Sequence, residues 1–235
     1  MGEPHEPQRQ VAIITGGSRG LGRALASELA RRGWALVLDA RRAHELDAAA
    51  ADLRALTDVA AIPGDVTDPA HRAALVRAAT ELGALTLVVN NASTLGHSPL
   101  PRVDVLDPGV LRDVFETNVI APVALVQAAL PHLAAGATVL NVTSDAGVEA
   151  YEGWGGYGAS KAALEHISRV LAAERPDLTV LVVDPGDMRT EMHQDAFPGE
   201  DISDRPEPEA SIPGIVALLD RAEPSGRYEA RAVTV

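Results

Sequence analysis

The chain has 235 residues, 46% of them hydrophobic but only 3% aromatic, with a formal net charge of −13 and no cysteine. That much apolar material excludes a disordered chain. The acidic balance argues against nucleic acid or an anionic membrane surface as a partner, and the absence of thiols excludes disulfides, cysteine nucleophiles and thiolate zinc sites; no metal site is expected. Residues 1–9 are polar and proline-rich, with no apolar run behind a basic flank. They read as a flexible N-terminus rather than a signal peptide, and a cytoplasmic location is the expectation. No apolar run approaches the roughly 20 residues that span a bilayer.

Short Val/Ile/Leu runs at 11–15, 35–38, 59–62, 85–90, 138–142 and 179–183 alternate with Ala-rich stretches whose apolar residues recur at helical spacing. Leu21, Leu25 and Leu29 form one such stripe, and Leu46, Leu53 and Leu56 another. Strands that are apolar throughout are those covered by helices on both faces. The repeat predicts an α/β fold, a doubly wound and mostly parallel sheet of Rossmann type, as one domain over 1–235. Residues 187–213, rich in Asp, Glu and Pro, predict a partly helical lid over the substrate. The stretch 226–233 can supply one last edge strand.

After the first strand comes Thr-Gly-Gly-Ser-Arg-Gly-Leu-Gly at 15–22, opening directly into a helix. Gly16 can adopt backbone angles closed to other residues, and Gly20 and Gly22 let a pyrophosphate and the helix come close. With Ser18, Arg19 and Leu21 this turn is a candidate phosphate cradle, the helix amides and dipole favouring an anion. Farther on, Tyr157 and Lys161 stand four apart at the start of a helical pattern through Leu164, Ile167 and Leu171, so they share a face. The chain has 19 arginines and one lysine, and that lysine is Lys161. A neighbouring ammonium lowers the pKa of a phenol, bringing it toward acid/base work, and a planar guanidinium is a poor substitute for a compact ammonium that also binds hydroxyls.

The Gly-x-x-x-Gly-x-Gly spacing at 16–22, Asn-Asn-Ala at 90–92, Ser144 thirteen residues before Tyr-x-x-x-Lys at 157–161, and Pro-Gly-x-x-x-Thr at 185–190 resemble the short-chain dehydrogenase/reductase family in order and spacing. The resemblance covers about residues 11–190. It implies a nicotinamide cofactor, with Asp65 and Val66 beside the adenine, Asn91 and Ala92 beside the adenosine ribose, and Pro185, Gly186, Met188 and Thr190 around the nicotinamide. Tyr157 is implied as general acid/base, Lys161 as its partner and ribose ligand, Ser144 as the hydroxyl that orients the substrate oxygen, and Asn118 as the helix residue holding a water that leads to the lysine. Thr143 competes with Ser144, but strand alternation turns it to the other face.

Cofactor choice turns on residues 39–41. Ala40 falls where NAD-type relatives carry an aspartate, and Arg41, with Arg19, suits a 2′-phosphate, so NADP(H) is expected. A slip of one residue would aim Asp39 at the ribose and favour NAD(H). The substrate is expected to be a small carbonyl compound or alcohol, in a pocket formed by 93–101, 145–156 and the lid. His97, Asp145, Trp154, Asp187 and Met192 are its candidate contacts, with Met188 and Phe197 in an apolar wall and Glu149 and Glu152 as further carboxylates. Two other readings stay open: an NADP(H) sensor without turnover, and an epimerase or dehydratase that uses bound cofactor transiently. Family resemblance implies a homodimer or homotetramer.

Overall fold

The computed structural model describes residues 9–234; of the stretch 1–9 expected to be flexible, residues 1–8 lie outside them, and the expectation fails at Arg9. Arg9 is anchored: its carbonyl accepts from the Ala84 amide at 3.0 Å and its guanidinium pairs with Asp58. Seven strands, β1 (Gln10–Ile14), β2 (Ala35–Ala40), β3 (Val59–Pro63), β4 (Ala84–Asn90), β5 (Leu133–Val142), β6 (Thr179–Asp184) and β7 (Gly226–Glu229), form one sheet in the order β3-β2-β1-β4-β5-β6-β7. Every neighbouring pair is parallel, the edge strand β7 included.

The helices are α1 (Gly20–Arg31), α2 (Ala43–Arg54), α3 (Pro69–Leu82), α4 (Pro108–Phe115), α5 (Ala121–Ala129), α6 (Gly155–Glu174), α7 (Glu191–Ala196) and α8 (Ile212–Asp220). Alternate residues of β1 serve the two faces. Ala12 and Ile14 join Leu21, Leu25 and Leu29 of α1, Leu46 of α2 and Ile215 of α8, whereas Val11 and Ile13 join Leu75 of α3 and Leu125 of α5. Because both faces are covered, the strands read as apolar runs instead of alternating ones. Leu56 does not belong to the α2 stripe: the helix ends at Arg54, and Leu56 lies in the following turn, 53% exposed. β5 begins earlier than expected. Its register jumps from Leu85↔Leu133 to Leu87↔Thr138, so extra β5 residues bulge out before pairing resumes.

Residues Pro108–His132 run as one helical stretch, α4 and α5 joined by a π-helical turn at Glu116–Ile120, and by length and composition this stretch could cross a membrane. Polar residues interrupt the run in the sequence, which is why no span was expected there. In the fold its apolar residues Leu125 and Ala129 pack against the sheet. The strand order reverses between β1 and β4, leaving a crevice at the carboxyl ends of these strands, the place where open α/β sheets bind ligands.

Candidate active site

A cavity of about 970 Å³ occupies that crevice, at the upper end of the ~300–1,000 Å³ common for ligand pockets. At one end lies the β1–α1 turn. Thr15 ties it to β4: its hydroxyl donates to the Val89 carbonyl and accepts from the Asn91 and Ala92 amides. The Asn91 side-chain amide donates to the Thr15 and Gly16 carbonyls at 2.8 and 3.2 Å. Gly16 sits at φ +67°, and a Cβ on Gly22 would stand 2.4 Å from the Gly16 carbonyl oxygen, so no side chain fits there. α1 has no side-chain N-cap and no acid in its first turn. Its leading amides are therefore available to an anion. These features, with the cavity, fit a dinucleotide pyrophosphate.

The rim beyond the turn holds Asp39 and Arg41 in different settings. Asp39 is 2% exposed, one carboxylate oxygen accepting from the Gly16 amide at 2.7 Å and the other 3.1 Å from His71 Nε2. Its oxygens are already engaged beneath the turn. Arg41 is exposed at the cavity edge and, among the described residues, forms no ion pair. Arg19 lines the same cavity, as expected, and pairs with Glu191 at the start of α7. The Asp65 carboxylate accepts from the Thr67 amide and hydroxyl, which hold it below its ordinary range, and Val66 is buried beside it.

At the other end the turn after β5 packs onto α6. A Cβ on Gly158 would lie 2.4 Å from the Ala146 carbonyl oxygen, so the absence of a side chain at 158 brings the 144–146 turn against the helix that carries Tyr157 and Lys161. Thr143 points away, donating to Glu165 at 2.7 Å in the interior, as alternation requires. The Ser144 hydroxyl faces the cavity and donates to Asp145 at 2.8 Å. Lys161, 2% exposed, donates to the Val142 carbonyl at 2.9 Å, and its ammonium stands 5.4 Å from the centre of the Tyr157 ring.

The electrostatic balance differs from the sequence expectation. Burial pushes the Tyr157 phenol well above its ordinary value, and the Asp184 and Asp145 carboxylates act the same way, opposed by the Ser93 and Ser144 hydroxyls. Burial also lowers Lys161 to about 8. Burial, which disfavours either charged form, is the largest cause of both shifts.

Asn118 lies in the π turn, 1% exposed. Its carbonyl oxygen accepts from the Ser93 hydroxyl and the Thr94 amide, and its amide donates to the Thr94 carbonyl and the Ser160 hydroxyl, at 2.8–3.1 Å. Two donors and two acceptor sites are all that an asparagine side chain offers. The side chain therefore fixes the loop after β4 against α6, and the π turn is the bend in this helix that the resemblance implied at Asn118.

Trp154 stacks edge-on against Tyr157 and Tyr151 and lies 5.8 Å from Phe197, so four of the chain's seven aromatic residues meet at this end. Asp145, Asp187, Met188 and Met192 also line the cavity, as do Pro185, Gly186 and Thr190. His97 does not. The chain turns outward at Gly96, and the exposed imidazole lies 3.0 Å from the Pro99 carbonyl. Glu149 and Glu152 also fall outside the cavity lining.

Several residues were missed. Asp184, at the end of β6, takes part in a mostly buried network: Arg227 donates to Asp184 at 2.9 Å and to Glu165 at 3.0 Å, and the Gly186 amide donates to Asp184. Arg231 donates to the Pro185 and Asp187 carbonyls and holds the turn after β6. Glu191, Tyr151 and His193 carried no local signal.

The short chain dehydrogenase family model matches residues 10–201. The chain belongs to the short-chain dehydrogenase family. An uncharacterized oxidoreductase of Mycobacterium tuberculosis is 36% identical over 187 residues, 77% of this chain and 70% of that one. Sepiapterin reductase of Bos taurus is 33% identical over 203 residues, 79% and 75%. A short-chain dehydrogenase of Shigella flexneri solved in complex with NADP superposes with a TM-score of 0.86 at 29% identity, covering 94% of this chain and 97% of that one. The protein is thus an oxidoreductase of the short-chain dehydrogenase type.

Proposed function

We propose that the protein reduces a ketone or aldehyde to an alcohol, or runs the reverse, with NADP(H) preferred over NAD(H). One observation carries this: a single cavity runs from the β1–α1 turn and Arg41 to Ser144, Tyr157 and Lys161. The NADP in the Shigella flexneri relative supports the cofactor, and the bovine relative, a reductase by name, supports the direction. The engaged Asp39 carboxylate and Arg41, without an ion pair among the described residues, favour a 2′-phosphate.

A nicotinamide held at the Tyr157 end of the cleft would supply the hydride. Gly16, Ser18, Gly20, Leu21 and Gly22 receive the pyrophosphate, Arg41 the 2′-phosphate, and Asp65, Val66, Asn91 and Ala92 the adenosine. Pro185, Gly186, Met188 and Thr190 hold the nicotinamide end. The raised Tyr157 phenol is protonated at neutral pH, the state that gives a proton to a carbonyl oxygen. Ser144 orients that oxygen. Lys161 holds its positive charge below about pH 8 and binds the ribose. The π turn of Asn118 offers main-chain carbonyls, not its side chain, to a relay water. The substrate lies among Asp145, Trp154, Asp187 and Met192 under residues 187–213.

The test is a pair of NADPH and NADH binding titrations followed by turnover of a carbonyl panel. Tighter NADPH binding with turnover is the expected result. Binding without any turnover would favour a sensor, and retained cofactor with no net reduction would favour an epimerase or dehydratase. We also place a homodimer or homotetramer contact on the exposed apolar side chains Ile120, Ile167 and Val170. Sedimentation of wild type and Val170→Glu checks it, and a wild-type monomer would refute it.

A further inference from the structure

The arginines at the adenosine end of the cleft are not equivalent. Arg41 has no ionic partner among the described residues, whereas Arg19 and Arg42 are both claimed by one carboxylate, Glu191. Glu191 is the first residue of α7 and follows Thr190, whose methyl lies 3.5 Å from where a Cβ on Gly20 would stand. The segment after β6 therefore reaches across the cavity mouth and sets an acid among cations on the opposite wall. Arg42 lies 3.7 Å from Glu191 and keeps a second partner, Glu45, at 2.7 Å. Arg19 pairs with no other carboxylate among the described residues. All three side chains are about half exposed, Arg19 at 47%, Glu191 at 49% and Arg42 at 59%. The pairs can exchange with a mobile anion without a large desolvation cost.

We propose that Glu191 determines cofactor selectivity by competing with the 2′-phosphate of NADP(H) for Arg19 and Arg42. This inference rests on the reading of the rim as a 2′-phosphate site. A carboxylate and a phosphate offer the same planar donors the same kind of acceptor, so the guanidinium that holds one gives up the other. Arg41 alone then gives an initial preference for NADPH, and the full preference appears when the phosphate displaces Glu191. NADH carries no group to make that exchange, so its affinity is indifferent to Glu191. The same displacement is felt at the far end. α7 carries Met192 and leads to Phe197, which packs on Trp154, so a contact at the phosphate rim is joined to the substrate wall by about two turns of chain.

The experiment is calorimetric titration of NADPH and NADH into the full-length chain, wild type beside Glu191→Gln and Glu191→Lys. With exposed ion pairs of ordinary strength, Glu191→Gln is expected to tighten NADPH about three- to fivefold and to leave NADH unchanged. Glu191→Lys, which adds a cation, is expected to move NADPH further the same way. A wild type that prefers NADPH, with variants that shift both cofactors equally or weaken NADPH, would overturn the inference and leave the NADP(H) reading standing. A wild type that binds NADH as tightly as NADPH, or binds neither, would overturn both.

Discussion

The two ends of the cleft are built differently. At the phosphate end the work is done by backbone: glycine geometry at 16–22, uncapped amides of α1, and clamps from Thr15 and Asn91 drawn from adjacent strands. At the reaction end it is done by side chains on elements far apart in sequence, with Ser144 after β5, Tyr157 and Lys161 on α6, Asp184 after β6 and Phe197 beyond α7. At Gly16 and Gly22 the backbone leaves no room for a Cβ, and the side-chain end is tuned by the charge buried near it.

The largest effect should come from adding bulk at the phosphate end. Gly22→Val places atoms where the Gly16 carbonyl already stands, and NADPH affinity should fall by two orders of magnitude or more in a titration, with a fall in Tm. An unchanged affinity would mean that the turn is not the cradle. At the reaction end, Arg227→Met leaves Glu165 and Asp184 sharing the interior without their cation. Arg227 is 27% exposed, so solvent screening reduces the cost to about 2 kcal/mol, read as a lower denaturation midpoint.

The pH profile sharpens the same contrast. Lys161 is charged below about 8, and the Tyr157 phenol, raised by burial, stays protonated across this range. Reductive kcat/KM should therefore be level near neutrality and fall above about pH 8, up to tenfold per unit. Lys161→Arg, slower throughout, should lose that descending limb, because a guanidinium does not deprotonate there. Because the lysine pKa is depressed on folding, its contribution to stability runs the other way: it grows as pH rises from about 8 toward 10.5, and Lys161→Met should abolish that slope in chemical denaturation. The smallest effect is at Asp145, which accepts the hydrogen bond of the Ser144 hydroxyl. A neutral acceptor holds that hydroxyl less tightly, so Asp145→Asn should raise kcat/KM for an uncharged carbonyl compound about fivefold, with cofactor Kd unchanged.

What was legible in the sequence follows this division. Apolar runs and glycine spacing announce backbone structure locally, so β1, α1 and the turn between them could be read from a dozen residues. The Tyr157/Lys161 pair could be read because both lie on one helix face. Leu56 failed because a helix stripe does not show where the helix ends, and His97 failed because nothing in 93–101 shows that Gly96 turns outward. Glu191 and Arg19 are more than 170 residues apart, and Arg227 closes its network from the last strand. Such pairings depend on the completed topology. The raised phenol depends on it as well, since burial and Asp184 come from the assembled sheet.

The central claim, that Tyr157 is the proton donor of an NADP(H)-dependent carbonyl reduction, is tested most directly by following NADPH consumption with a carbonyl panel in wild type and Tyr157→Phe, with NADPH affinity measured on both. The account predicts turnover in the wild type, a loss of about 10²–10⁴-fold in the variant, and NADPH affinity equal within twofold. A variant that turns over at the wild-type rate would contradict it.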